Sequence, residues 1–160
     1  MTQDLARDLA AIDHFSALDP DAMKDLVDGS ELARYGTDET ILDPARPRAA
    51  YSFLVEGRWC MRRDMVGVSK PFEWDDDRPG NWHGGVGLFD AVAPVTVRAV
   101  EPCTVLHMPR DLLERLMRAD AHLALAMLRG AQGGATVLYR HATEGDAPNR
   151  PDGPAKGITR

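Results

Sequence analysis

The side chains best suited to chemistry are His83, His107, Cys60, Cys103 and Met108, the raw material of a metal or haem centre. Their spacing argues against one. No pair shows the C-x-x-C or H-x-x-x-H separation that places two ligands on one turn or one helix face. Both cysteines sit among alternating residues of predicted strands, so they read as reduced core thiols rather than a disulfide framework. The chain also lacks a Ser-His-Asp order or a paired-carboxylate motif, so no catalytic residue is assigned and the protein is not read as an enzyme. No metal and no cofactor is expected. Asp75, Asp76 and Asp77 offer three adjacent carboxylates to a cation, but an acidic run of this kind reads as a solvated turn.

The elements that must position these residues are legible from periodicity. Leu5, Leu9 and Ile12 recur at helical spacing, and a second short helix follows, opened by Asp19, Pro20 and Asp21. From about Glu31 to His107 the pattern changes to brief apolar runs cut by Gly, Pro and Asp, which predicts an all-β middle. A helical period returns in PRDLLERLMRAD, where Leu112, Leu113, Leu116 and Met117 form one stripe and Pro109 occupies the first turn. AHLALAMLRGAQGGATVLYRHA follows as a last helix, with its glycines Gly130 and Gly134 either lying within it or ending it. The expected fold is α+β and mainly β: an antiparallel double-stranded β-helix, a jelly-roll or cupin-like β-roll, over about 31–108. Helices precede it and C-terminal helices follow over about 109–141, giving one domain at 1–141 and a Pro-, Gly- and charge-rich disordered tail at 142–160.

Composition narrows the partners. With 160 residues, 44% of them apolar, the chain can bury one core. A formal net charge of -6 argues against a phosphate-backbone partner, so no direct nucleic-acid binding is expected. No run approaches a membrane span, and MTQDLARDLAA is acidic where a signal peptide would be basic, so no membrane contact and a cytoplasmic location are expected. Ala126, Gly130 and Gly134 fall four apart, a small-residue seam for close packing of the last helix against a second copy. A homodimer through that helix, or a different protein partner, follows as an expectation.

Three segments in order carry a resemblance: FLVEGRW ending an apolar strand, PGNWHGGVGLFD after a Pro-Gly turn, and VRAVEPCTVLHM leading into an amphipathic helix. Together they resemble the cyclic nucleotide-binding domain of the catabolite activator (Crp/Fnr-like) family over roughly residues 12–128. The resemblance implies a phosphate-binding cassette in which backbone N–H groups at a helix N-terminus cradle a cyclic phosphate. The cassette maps to Gly84, Gly85, Val86, Gly87, Leu88, Ala93, Pro94 and Val95.

The side chains of that cassette depart from the family. Gly85 stands where the family has a Glu for the ribose, Ala93 where it has an Arg for the phosphate, and Pro94 at the adjacent hydroxyl-bearing position. Ala45 stands where the family usually has Gly. Hydrogen bonds to charged groups contribute roughly 1.5–3 kcal/mol each, so these losses predict absent or very weak cyclic nucleotide binding by the usual contacts. Pro94 also lacks the N–H that would compensate. Arg98 is the alternative phosphate partner, although alternation in PVTVRAVE turns Val95, Val97 and Ala99 inward and Arg98 outward. Trp59, Trp82 and His83 either line the mouth of the pocket or pack the roll. Only about twenty polar residues follow the last helix, too few for a helix-turn-helix. The expected function is a non-catalytic regulatory or protein-interaction module; the alternative is a sensor of a cyclic nucleotide or other small anion held by the cassette backbone.

Overall fold

The computed structural model describes residues 2–46, 48–64, 70–84 and 95–144. Two helices, α1 (Thr2–Ala10) and α2 (Pro20–Gly29), open the chain around a 3-10 turn at Asp13–Phe15. Asp19 caps α2 by accepting the Ala22 N–H at 2.8 Å, and Pro20 occupies the first turn, where its missing N–H costs nothing. Eight strands follow: β1 (Glu31–Tyr35), β2 (Thr40–Leu42), β3 (Ala50–Glu56), β4 (Trp59–Arg63), β5 (Phe72–Asp76), β6 (Trp82–Gly84), β7 (Val95–Ala99) and β8 (Cys103–Pro109). They form two four-stranded sheets of order β1-β8-β3-β6 and β2-β7-β4-β5, all pairs antiparallel, which is the roll expected from the sequence.

Alternation divides the apolar residues into two cores. Tyr51, Phe53, Leu106 and Met108 leave the first sheet outward and meet Leu9, Phe15, Leu26, Leu112, Leu113, Leu116 and Leu123 from the helices. Leu54, Val105 and Cys103 point the other way and meet Ile41, Leu42, Trp59, Met61, Phe72, Val97 and Ala99 inside the roll. The two thiols are free; Cys103 is buried and donates to the carbonyls of Arg58 at 3.0 Å and Glu101 at 3.1 Å. Burial and the neighbouring Asp75 push the Cys60 thiol up to about 12, which leaves it unreactive at neutral pH.

The C-terminal helices are α3 (Arg110–Ala119) and α4 (Ala121–Glu144). Asp120 separates them, its carboxylate accepting the Leu123 N–H at 2.7 Å as a cap. Of the two readings left open for the glycines, they lie within α4, which runs unbroken for 24 residues. Ala126 and Gly130 do not form a free seam: Ala126 is buried, and a Cβ on Gly130 would lie 2.8 Å from Trp82 Nε1. Glycine is needed at 130 so that α4 can close onto Trp82 of this same chain. Gly134 has open space around it.

Candidate functional site

The strands β6 and β7 flank the candidate cassette positions. Gly84 closes β6 opposite Tyr51 with φ +92°, and a Cβ there would lie 3.1 Å from the Ala50 carbonyl and 3.3 Å from Leu42. A side chain is therefore unwelcome where the chain leaves the sheet. Val95 opens β7 opposite Arg63 and packs against the roll core. The intervening cassette positions Gly85, Val86, Gly87, Leu88, Ala93 and Pro94 lie outside the described residues.

Arg98, the alternative phosphate partner, faces away from the roll. Val97 and Ala99 are fully buried in the roll while Arg98 between them is exposed, as strand alternation requires. The strand leaving the cassette thus carries no cation into the roll. One arrives from the neighbouring strand instead. Arg63 pairs directly with Val95 on one side and Phe72 on the other, and so shares the inward row of Trp59 and Met61. It is half-buried, and among the described residues no ion pair ties it down.

Around Arg63 the roll mouth is lined by aromatic rings. Phe72 meets Trp74 edge-on with centroids 6.0 Å apart and His141 of α4 at 5.1 Å, while Trp59 lies 5.1 Å from His83. Val137 and Leu138 of α4 pack on the same core. Trp59 is fully buried, so core packing accounts for it; Trp82 packs edge-on against Tyr51, with centroids 5.7 Å apart, and joins the outer core. Among the described residues, Trp74 Nε1 and His141 Nε2 beside Phe72, and Trp59 Nε1 farther along β4, are buried with no hydrogen-bond partner. Each such group costs about 1–3 kcal/mol to leave unsatisfied.

A second polar group runs through the first sheet. Register aligns Glu31, His107, Ser52 and His83 across β1, β8, β3 and β6. Ser52 Oγ lies 2.8 Å from His107 Nδ1, and Tyr35 OH lies 2.7 Å from His107 Nε2. Burial, aided by the Arg48 guanidinium and opposed by Glu31, lowers the His107 pKa to about 4, so the neutral ring donates at one nitrogen and accepts at the other. Ser52 is fully buried and cannot meet a substrate, which makes this a structural relay rather than a nucleophile and base. Burial likewise lowers His83 to about 4 against the opposing pull of Asp76.

The acidic run is not a uniformly solvated turn. Asp76 is buried, accepts from the Arg78 N–H at 2.9 Å and Nη2 at 3.2 Å, and holds Asn81 Nδ2, which fixes the turn that leads into β6. Sequence reasoning missed this network and the Ser52–His107–Tyr35 relay. Among the described residues no group of His, Cys, Asp and Glu is arranged to hold a metal ion.

Comparison with known structures decides the fold. The sensor domain of the transcriptional regulator DNR from Pseudomonas aeruginosa superposes with TM-score 0.61 at 20% identity, over 85% of this chain and 95% of that one. This chain has the cyclic nucleotide-binding fold. The regulatory domain of Toxoplasma gondii PKA, solved with cAMP, gives TM-score 0.67 at 15% identity over 82% of this chain and 50% of that one. A cAMP-binding acyltransferase from Mycobacterium smegmatis gives 0.64 at 20% identity over 88% of this chain and 42% of that one. The chain thus spans about half or less of the length of those two larger proteins. No protein-family model and no curated protein matches the sequence. Among the described residues no helix is long and apolar enough to cross a membrane.

Proposed function

We propose that this chain is a non-catalytic regulatory or protein-interaction module built on the cyclic nucleotide-binding fold, unable to hold cAMP or cGMP by the usual contacts, and that it works in the cytoplasm. The observation that carries this reading is the register of β7, which turns Arg98 out of the roll and leaves Ala93 and Pro94 to precede Val95. Two charge-assisted contacts at roughly 1.5–3 kcal/mol each are then missing, enough for two or more orders of magnitude in affinity. Titration calorimetry is expected to give no micromolar heat with cAMP or cGMP; micromolar binding of either sinks the reading and favours the sensor alternative.

The partner proposed is a second copy, through a different face of α4 from the one the small residues suggested. Leu125, Leu128 and Tyr139 are 51%, 64% and 69% exposed, and with Gln132 and Ala135 they repeat at alternating steps of three and four. That period is the seam of a two-stranded coiled coil. Sedimentation is expected to show a dimer that Leu128→Glu dissociates. Gly134→Ala, with open space for its methyl, should keep the dimer and gain about 1 kcal/mol of helix stability. A monomeric wild type, or a monomeric Gly134→Ala, removes this interface.

A further inference from the structure

The unpartnered polar groups at the roll mouth share a location. Arg63 of β4 stands in register with Phe72 of β5, and Trp74 lies two residues along β5 on the same face. His141 comes over Phe72 from α4, with ring centroids 5.1 Å apart. Among the described residues, a guanidinium with no ion pair, an indole N–H with no acceptor and an imidazole Nε2 with no partner therefore gather around one phenyl ring, from three separate elements. Burying donors without acceptors is unfavourable unless something else supplies the acceptor. Arg63 is also directly opposite Val95, where the chain re-enters the sheet from the cassette positions.

We propose that Arg63, Trp74 and His141 form an anion-binding site at the mouth of the roll that takes the phosphate group of a small ligand, with Arg63 as its charged anchor. Phosphate suits this set better than a carboxylate does. Donors arriving from two strands and a helix match a tetrahedral group with acceptor oxygens on several sides, and a guanidinium can hold two of those oxygens at once. The site needs no ribose contact, so it selects for the phosphate rather than for a cyclic nucleotide. The cation comes from β4 in place of the cassette, an arrangement that the sequence pattern of the cassette does not disclose.

The test uses the intact chain and inorganic phosphate at constant ionic strength, read by the ¹H–¹⁵N signals of the three indole N–H groups, assigned with single Trp→Phe variants. A saturable shift of the Trp74 signal is expected with phosphate, and a response at least tenfold weaker with acetate. Arg63→Gln removes the charge while keeping a polar side chain, and should weaken phosphate at least tenfold while leaving the melting temperature in place. Arg63→Lys should recover part of the affinity, and the outward Arg98→Gln should match wild type. The proposal is overturned if the Trp74 signal does not saturate at millimolar phosphate, if Arg63→Gln binds as wild type does, or if acetate and phosphate act alike. None of these outcomes depends on whether a cyclic nucleotide binds.

Discussion

Between pH 6.5 and pH 4 the folded state is expected to lose stability on the order of 5 kcal/mol, through His107 and His83. Both rings have folded-state pKa values near 4 against an unfolded value of 6.5, so within that window the unfolded chain binds more protons than the native one. Stability therefore falls as the pH falls through the window, is unaffected by these groups above it, and loses nothing more from them below pH 4. At 1.36 kcal/mol per pKa unit each ring contributes up to about 3 kcal/mol. His107 is 3% exposed and held between the Ser52 and Tyr35 hydroxyls. His14, lowered by burial despite Asp13, acts in the same direction. A domain of this size has about 5–15 kcal/mol in total, so the protein should be close to its unfolding midpoint at pH 4. Urea unfolding at a series of pH values would show this as a rising free energy up to pH 6.5; a flat profile, or imidazole C2 protons of both residues titrating near 6.5, refutes it.

How much of this was written in the sequence depends on whether the physics is local. The alternation VTVRA assigns Val97 and Ala99 inward and Arg98 outward from five residues, and the sheet bears it out because β strands have a strict two-residue period. Asp19-Pro20 announces α2 for the same reason: cap and first turn are contiguous. Ser52, Tyr35 and His107 are a different case. They meet only because β1, β8 and β3 are neighbours in one sheet, and strand order is a tertiary choice that no window of sequence contains. Asp76 hides among three identical acids, distinguished only by the inward row it shares with Trp59. The last helix shows the limit most clearly. Its small residues were visible as a periodicity, but whether they face the roll or a partner is decided by where Trp82 stands, on a strand some fifty residues earlier in the chain.

Gly57→Ala is expected to destabilise the fold more than any conservative change at the candidate site, by roughly 3–5 kcal/mol, although it adds one methyl group. Gly57 joins β3 to β4 with φ +96°, a conformation that costs an L side chain about 1–2 kcal/mol by itself. The added Cβ would then stand 2.2 Å from the Pro102 carbonyl oxygen and 2.9 Å from Cys103 Cα. Both are backbone atoms, so the clash cannot be relieved by turning a flexible side chain aside, as it can be at Gly29, where the atom met belongs to the Leu112 side chain. The backbone that must yield is already committed. Val100 and Glu101 donate to the Arg58 carbonyl at 2.8 and 3.1 Å, and the Cys103 thiol donates to the same oxygen at 3.0 Å. Moving Pro102 away strains that cluster, and moving Gly57 displaces Trp59, the largest fully buried side chain of the roll and the ring against which His83 rests. Strain at this corner therefore passes along β4 to Arg63, four residues from Trp59, so the same variant should also weaken phosphate binding if Arg63 is the anchor. Gly133→Ala is the control, since its methyl meets nothing within 4 Å inside a helix and should raise stability by about 1 kcal/mol. Equal urea midpoints for the two variants would show that the β3–β4 corner is not the constrained point that its geometry indicates.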